Sequence, residues 1–361
     1  MNFIIILVVI CLLIQVLYWN VIFRRAANDI QPDSTTTQET PFLSVVICFH
    51  KTWDETPKVL DGLKQQMYPN FEVILVNDGP VPVDPAIMEH PIHSKNHIRY
   101  VEHVKTLPGK KGALATGIKA ATGDWVILTD IDCRPGPAWL KTMAAHIPEQ
   151  PAIVLGFSPY TRAPGILNFI IQQETLLTAF QYLGWARAGH AYMGVGRNMA
   201  YHKSIYTDVT FASHQHIPTG DDDLFVNEAA QRHPVYICHD RNSFVYSAPP
   251  AHWKSWYRQK TRHKSGGKHY SWASKLRLAL FLLAMIVEKI LLVYLLFVRI
   301  DLFLIFVGLK TVATFGSMRK LYKKLDTPSD FWKMYLYEWA HVLYLIWVAP
   351  YIFIITKQQW D

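Results

Sequence analysis

The chain has 361 residues, which is enough for one large domain or two small ones. Half of its residues are hydrophobic and only 18% are charged, a composition too apolar for an ordinary soluble protein and typical of chains with membrane segments. The formal net charge of +8 suits an anionic substrate or an anionic membrane surface, but no nucleic-acid-binding signature is present. The four cysteines are scattered without a CxxC pair, which argues against a structural zinc or a disulfide framework.

Residues 1–25 are predicted to be an uncleaved transmembrane anchor. An apolar run at 3–23 is long enough to span a bilayer. Arg24 and Arg25 follow the run, whereas a cleavable signal peptide carries its charges before the apolar core. The positive-inside rule then places the N-terminus outside and the chain after Arg24 in the cytosol.

Residues 26–41 are polar and are predicted to be a linker, and residues 42–272 are predicted to be one cytosolic α/β domain. Strands are predicted at 43–49, 71–76, 97–103 and 124–129, with helices at 55–66, 110–121 and 137–146. This alternation predicts three layers around a mostly parallel sheet. A helix at 166–185 has a broad apolar face, and we expect it either to lie along the membrane surface or to pack in a core.

Carboxylates follow two of these predicted strands. Asp130 and Asp132 end an apolar run, where hard oxygen ligands suit Mg²⁺ or Mn²⁺ holding a diphosphate. Asp78 can accept hydrogen bonds from a base or a ribose, although Asn-Asp-Gly is also a common turn. Ligands of parallel α/β sheets bind at this end of the strands.

A third acidic site is the run Asp221-Asp222-Asp223. Adjacent carboxylates repel one another, so one of them is expected to have a raised pKa, which suits a general base. The run is also a favourable start for a helix predicted at 224–230, and both interpretations can hold together. A basic, aromatic segment at 253–264 is predicted to grip a diphosphate, with a lipid-binding juxtamembrane patch as the alternative.

Residues 273–361 are predicted to be a membrane region with about three helices. The apolar runs lie at 276–298, 300–315 and 331–355, and their basic flanks agree with four spans in all and with both termini outside. The runs are interrupted by Glu288, Lys289, Lys310, Glu338 and His341. Such side chains are expected to face a bundle interior, where they would line an acceptor path; interfacial or re-entrant helices are the alternative.

Six segments occur in an order and at spacings that match a known family: 44–47, 71–79, 111–114, 130–132, 220–222 and 259–263. In these segments the chain resembles the family 2 glycosyltransferases, and most closely their membrane-bound ceramide glucosyltransferase and cellulose synthase groups. The resemblance covers residues 42–270. It implies a GT-A fold and an inverting transfer of a sugar from a nucleoside diphosphate sugar, with UDP as the nucleotide and Mg²⁺ or Mn²⁺ on the diphosphate.

The resemblance also implies a role for each matched residue on the donor side. Asp78 would bind the nucleoside, Asp130 the ribose or diphosphate region, and Asp132 the metal. The other implied substrate-binding residues are Lys111, Gln259, Arg262 and His263.

On the acceptor side, the resemblance implies Asp222 as the general base and Asp221 as the acid that precedes it. Asp223 is the alternative base, because three consecutive aspartates leave the alignment uncertain by one position. The segment 194–200 resembles the loop that lines the donor and acceptor pocket. His263 replaces the tryptophan of the family motif, which puts binding of a long glycan in doubt.

Four spans are too few for a polymer channel in a monomer, so we expect single transfer to a lipid or lipid-linked acceptor. The predicted protein is an integral membrane enzyme of glycan or glycolipid biosynthesis in the cell envelope, in the inner or plasma membrane if it is bacterial. Its partners are the donor, the acceptor and the bilayer, without nucleic acid. The alternatives are a processive polysaccharide synthase, an inactive sugar-nucleotide-binding scaffold and a metal-dependent hydrolase.

Overall fold

The computed structural model describes residues 1–28, 40–50, 54–79, 82, 89, 97–105, 109–217 and 219–354, with the side chains of 97, 263–265 and 346–354 excepted. The chain divides into two compact units. The helical unit comprises Met1–Asn28, Pro164–His190 and Tyr270–Thr356, and the sheet unit comprises Asp29–Ala163, Ala191–His269 and Lys357–Asp361. Most of the linker predicted at 26–41 lies outside the described residues.

The structure gives the following element bounds. The α-helices of the described residues are α1 (Asn2–Leu17), α2 (Thr56–Lys64), α3 (Lys111–Ala120), α4 (Trp139–Ala144), α5 (Ile166–Arg187), α6 (Lys203–Asp208), α7 (Asp223–Ala229), α8 (Trp253–Gly266), α9 (Trp272–Val298), α10 (Ile300–Leu325) and α11 (Trp332–Ile354). Their strands are β1 (Leu43–Phe49), β2 (Phe71–Asn77), β3 (His97–Glu102), β4 (Trp125–Leu128), β5 (Cys133–Pro135), β6 (Ile153–Gly156), β7 (Met199–His202), β8 (Val235–Cys238) and β9 (Val245–Ser247).

The sheet unit is built on a seven-stranded, mostly parallel sheet in the order β3-β2-β1-β4-β7-β6-β8. Strands β1 to β4 run parallel, β7 runs antiparallel to both β4 and β6, and β6 pairs in parallel with β8. Every residue of β1 and β2 is buried, which is why their sequences are nearly continuous apolar runs. The predicted α/β class with a mostly parallel sheet is confirmed.

Helices cover both faces of this sheet. Side chains alternate between the faces of a strand, and Val45 and Ile47 of β1 pack in one core with Leu60 of α2. On the opposite face α3 approaches β1 so closely that a Cβ on Gly117 would lie 2.5 Å from a methyl of Val46. The glycine therefore sets how closely the helix packs on the sheet.

A second, two-stranded sheet joins β5 to β9 in antiparallel register, with Cys133 opposite Ser247. Strand β5 begins directly after Asp132, and β9 ends directly before the segment that leads into α8. This small sheet fixes the chain on the C-terminal side of the Asp130–Asp132 pair.

The helical unit contains three helical segments that are long and apolar enough to cross a membrane: Asn2–Ala27, Trp272–Val298 and Ile300–Leu325. In the first, α1 continues as a π-helical turn and a 3₁₀ turn. Helices therefore occur at the predicted spans 3–23, 276–298 and 300–315. The fourth predicted span, 331–355, is also helical as α11, but α11 is not among these candidates, so four spans stay a prediction.

Helix α5 belongs to the helical unit and not to the predicted domain at 42–272 in which it lies in sequence. Phe180 of α5 stacks edge-on against Trp19, with ring centroids 6.0 Å apart. A Cβ on Gly184 would lie 2.7 Å from the carbonyl oxygen of Ile22, so the two backbones are in close contact. These contacts favour the core helix over the membrane-surface helix.

Four of the residues that interrupt the apolar runs, two lysines and two glutamates, pair with one another inside the helical unit. Lys310 Nζ donates to Glu338 Oε2 at 2.5 Å, to Gln15 Oε1 at 2.6 Å and to Glu288 Oε2 at 3.1 Å. Lys289 Nζ lies 3.1 Å from the same oxygen of each glutamate. The side chains of these two lysines, of the two glutamates and of Gln15 are all buried. Pairing offsets the cost of placing charges in an apolar helix bundle, so these residues do not require interfacial or re-entrant helices.

Candidate active site

The acidic residues predicted at strand ends lie at one edge of the sheet unit. In the parallel register Phe49 of β1 pairs with Asn77 of β2, and Val46 pairs with Leu128 of β4. Asp78 therefore follows β2, and Asp130 follows β4, where the carboxyl ends of parallel strands meet. The fold brings these two sequence-predicted residues to the same edge.

Asp78 is a buried carboxylate with unused hydrogen-bonding capacity. Its backbone N–H donates to the carbonyl of Phe49 at 2.9 Å, and its side chain is 1% exposed. Lys105 Nζ lies 3.7 Å from Oδ2, yet neither carboxylate oxygen accepts a hydrogen bond from the residues that the structure describes. Burial raises the pKa of Asp78. A buried acceptor of this kind suits a ligand that brings its own N–H or O–H donors.

Asp130 forms an ion pair with Lys110. Burial alone would raise the pKa of Asp130, but the Lys110 ammonium outweighs burial and lowers it, with smaller contributions from Arg197 and Arg262. Asp130 is therefore held ionised among three cations. The same three cations that stabilise the ionised Asp130 carboxylate can also attract a bound anion.

Asp132 is exposed, in contrast to Asp130. Partial burial of its carboxyl and the negative charge of Asp130 raise the pKa of Asp132, while Arg197 opposes the shift. No group of three or more metal-ligating side chains occurs within the described part of the chain. Mg²⁺ commonly takes one or two carboxylates and completes its shell with substrate phosphates and water. An accessible carboxylate whose ionisation is opposed by a like charge fits such a metal site.

Asp222 is held at the start of α7 by two backbone donors. Its Oδ1 accepts from the N–H of Asp223 at 2.7 Å, and its Oδ2 accepts from the N–H of Gly196 at 2.8 Å. Burial, followed by the charges of Asp221 and Asp223, raises the pKa of Asp222 to about 8. The pKa of a general base is most useful near the working pH, so this carboxyl is suited to proton transfer.

Asp223 differs from Asp222 in what its carboxylate faces. Its Oδ1 accepts from the N–H of Leu224 at 2.8 Å. A Cβ on Gly266 of α8 would stand 2.9 Å from its Oδ2, so this oxygen points at a neighbouring backbone. The N–H of Gly196, in the loop segment 194–200, donates to Asp222, and this contact with the loop favours Asp222 as the base.

Helix α8 contributes Gln259 and Arg262 to the site. Gln259 Nε2 donates to the hydroxyl of Tyr160 at 3.0 Å. The ring centroid of Tyr160 lies 4.4 Å from Cζ of Arg197, a cation–π contact, and Arg197 also donates to the carbonyl of Ser158 at 3.2 Å. The side chain of His263 lies outside the described residues. Gln259 is thus linked through Tyr160 to Arg197, whose charge lowers the pKa of both Asp130 and Asp132.

The family model for glycosyl transferase family 2 matches residues 44–210. The chain carries a family 2 glycosyltransferase domain. The match includes Asp78, Asp130, Asp132 and the loop at 194–200, and it ends before Asp221–Asp223 and α8. The roles of the latter residues in this glycosyltransferase domain therefore depend on the geometry of the site.

The curated relatives carry glycosyltransferase names, and two of them illustrate the extent of the match. EpsH of Bacillus subtilis is 26% identical over 117 residues, which are 32% of this chain and 33% of EpsH. GlyG of Streptococcus pneumoniae is 26% identical over 131 residues, which are 36% of this chain and 43% of GlyG. The chain thus matches less than half the length of either relative.

Among solved structures, the fold is similar to the mannosyltransferase PcManGT from Pyrobaculum calidifontis, whose structure contains GDP-Man and Mn²⁺. The TM-score is 0.58 at 16% identity, and the similarity covers 95% of this chain and 98% of that one. At this identity the likeness concerns the fold. The glycosyltransferase domain has the predicted GT-A fold.

Adjacent lysines at the start of α3 have different surroundings in this domain. Lys111, predicted to bind substrate, is fully buried, and its Nζ donates to backbone carbonyls at 214, 217 and 219. Lys110 is the lysine that reaches Asp130. Of the two lysines, Lys110 is therefore the one that lies beside Asp130, and a substrate-binding role for Lys111 stays a prediction.

Sequence reasoning missed Lys110, Arg197 and Tyr160 as residues of the site. Arg197 lies within the segment 194–200 that resembled a pocket loop, so its charge in that loop was an available signal. Lys110 adjoins a matched motif, and nothing in the sequence separates it from Lys111. Tyr160 follows β6 outside any motif, and only the fold brings it to Gln259 and Arg197.

Proposed function

We propose that the protein is an inverting glycosyltransferase that moves a sugar from a nucleoside diphosphate sugar to a lipid or lipid-linked acceptor. The observation that carries the proposal is the carboxyl of Asp222, held by the N–H of Gly196 with a pKa raised to about 8. It lies in the same unit as the carboxylates Asp78, Asp130 and Asp132, and the family 2 domain supplies the reaction class.

On the donor side, Asp78 accepts hydrogen bonds from the nucleoside. Lys110 and Arg262, which both favour ionised Asp130, attract the diphosphate, and Gln259 orients it. Arginine suits this task because its fork of N–H groups matches phosphate oxygens. Lys111 contributes indirectly, since its ammonium is bound to backbone carbonyls.

In the reaction, Asp222 removes the proton from the acceptor hydroxyl as its oxygen attacks the anomeric carbon. The bond between that carbon and the diphosphate oxygen breaks, and the electron pair leaves with the diphosphate. The nearby cations Arg262 and Lys110 stabilise the charge that develops there. One displacement inverts the anomeric centre, so no covalent glycosyl-enzyme is required.

Asp132, together with Asp130, would hold Mg²⁺ or Mn²⁺. When bound, the metal supplies positive charge to the departing diphosphate. The exposed position of Asp132 and its raised pKa are the observations that fit a cation there.

The proposed acceptor follows from the candidate spans of the helical unit, which suit an integral membrane enzyme. Basic residues flank the apolar runs of these spans, at 3–23, 276–298 and 300–315: they are Arg24, Arg25, Lys275, Arg319 and Lys320. By the positive-inside rule these flanks, and with them the glycosyltransferase domain, lie on the cytosolic side. Sugar nucleotides and a lipid acceptor are both accessible there, which fits a role in the cell envelope.

A screen of labelled sugar nucleotides tests this function. Membranes that contain the full-length protein are supplied with Mn²⁺ or Mg²⁺, or with a chelator. We expect one donor to give a lipid-extractable product with a single added sugar, and we expect the chelator to abolish it.

Other outcomes of the screen contradict the proposal. A ladder of long products would indicate a processive synthase, and rapid release of free sugar without acceptor would indicate a hydrolase. Absence of turnover with every donor would indicate a sugar-nucleotide-binding scaffold.

A further inference from the structure

Lys111 makes an unusual set of contacts for a lysine. It is the first residue of α3, and its side chain is fully buried in the sheet unit. Its Nζ donates to the carbonyl oxygens of His214, Ile217 and Thr219, each at 2.7 Å. A lysine ammonium has three N–H donors, so these bonds use all of them and leave none for a substrate.

The three carbonyls belong to the segment that leads into the acidic run. Thr219 is separated from Asp221 only by Gly220, whose φ of +87° is a conformation that favours glycine. A Cβ on Gly220 would lie 2.4 Å from Leu224, so the turn is tightly packed. Fixing the carbonyl of Thr219 therefore fixes where the acidic run begins and how Asp222 meets Gly196.

The charge of Lys111 also acts on the acidic run. Burial lowers the pKa of Lys111 to about 8, while Asp221, Asp223 and Asp222 favour its charged form. The attraction is mutual, so the ammonium favours ionised carboxylates in return. The other titratable neighbour is His214, whose pKa is lowered to about 4 by burial and by Lys111, so its ring is neutral near pH 7.

We propose that Lys111 is a positioning residue that acts through Asp222, by holding in place the backbone carbonyls of His214, Ile217 and Thr219. The proposal rests on the proposed function, because it assumes that Asp222 is the general base. Two adjacent lysines at the start of α3 then act on two different carboxylate sites. Lys110 serves Asp130 on the donor side, and Lys111 serves Asp222 on the acceptor side.

The test compares four variants of the full-length protein: Lys111→Met, Asp222→Asn, the double variant of both, and Lys119→Met. Lys119 is exposed near the other end of α3 and controls for loss of a lysine from this helix. The readouts are kcat, KM for the donor, and binding of UDP and GDP in the presence of Mn²⁺.

We expect Lys111→Met to lower kcat by about 10²-fold, as a displaced catalytic group does, while nucleotide affinity changes by less than about twofold. The double variant should be no slower than Asp222→Asn, because both changes remove the same function. Lys119→Met should resemble the wild type. A raised donor KM with unchanged kcat would overturn the proposal. It would also be overturned if Lys111→Met lowered kcat by the same factor in the wild type and in the Asp222→Asn variant.

Lys111→Arg covers the case in which Lys111→Met does not fold. It keeps the charge, but a planar guanidinium cannot direct three N–H groups at these three carbonyls as the ammonium does. We expect nucleotide binding to be retained and kcat to fall. A folded Lys111→Arg variant with wild-type kcat would overturn the proposal.

Hydrogen exchange separates this proposal from the proposed function. If the wild type transfers no sugar, the proposed function fails, but the amides at 219–223 should still exchange faster in Lys111→Met than in Lys119→Met. Equal exchange in the two variants would show that Lys111 does not hold this segment.

Discussion

At the scale of single residues, the site depends on how the protein treats neighbouring carboxylates differently. Lys110 keeps Asp130 ionised, whereas burial and two adjacent carboxylates favour protonated Asp222. Pairs of acids whose pKa values are separated by their surroundings commonly have separate tasks. The difference between the pKa values of Asp130 and Asp222 fits the proposal that Asp130 binds the donor and Asp222 accepts a proton.

The pKa of Asp222 predicts the pH dependence of turnover. Only the deprotonated carboxylate can accept the proton, so kcat/KM should rise as the pH rises through a value near 8 and level off above it. The measurement is a pH profile of kcat/KM with the preferred donor. A pH profile in which kcat/KM rises around pH 4, the ordinary pKa range of an aspartate, would contradict this prediction.

The residue scale also shows a limit of sequence reasoning. Asp78, Asp130 and Asp132 were singled out because they follow predicted strands, whereas the run of three aspartates drew attention to Asp222 and the family resemblance implied its role as the base. Lys110 and Lys111 could not be told apart, because a helix turns by about 100° per residue and sends adjacent side chains in different directions. Which lysine reaches Asp130 depends on the packing of α3, and no pattern in the sequence encodes it.

At the scale of elements, strands β1 to β4 were predictable and strands β5 to β9 were not. Strand β1 has the predicted bounds 43–49, since an unbroken apolar run is typical of a buried parallel strand. Strands β5 to β9 have three or four residues each, which is too short for a period to show. The antiparallel half of the sheet and the small second sheet were therefore missed.

The buried charge cluster of the helical unit gives a prediction about stability. Lys310→Met leaves the carboxylates of Glu288 and Glu338 with Lys289 as their remaining cation. Removing one partner of a buried ion pair typically costs about 3–5 kcal/mol. We therefore expect a lower thermal unfolding midpoint for the purified full-length protein.

Two further variants check the origin of that loss. Arg319→Met removes an exposed basic residue from the same helix and should leave the midpoint nearly unchanged. Adding Glu338→Gln to Lys310→Met should recover part of the loss, because it removes an uncompensated charge. If the double variant is less stable than Lys310→Met alone, the cluster is not held together by charge pairing.

At the scale of the whole molecule, contiguity in sequence was a poor guide to the two units. The predicted domain 42–272 follows the order of motifs, but Pro164–His190 belongs to the helical unit. Helix α5 is apolar enough for either unit, and its contacts, such as that of Phe180 with Trp19, assign it to the helical unit. The fold class was predictable because it follows from element order, whereas this boundary follows from tertiary packing.

The central claim for the whole molecule is that Asp222 is the base of a sugar transfer. Its most direct test is the turnover of Asp222→Asn beside the matched control Asp223→Asn, with nucleotide binding measured for both. We predict that Asp222→Asn lowers kcat by about 10²–10⁴-fold with nucleotide affinity unchanged, and that Asp223→Asn has a much smaller effect. Unchanged turnover in Asp222→Asn, or a larger loss in Asp223→Asn, would contradict the claim.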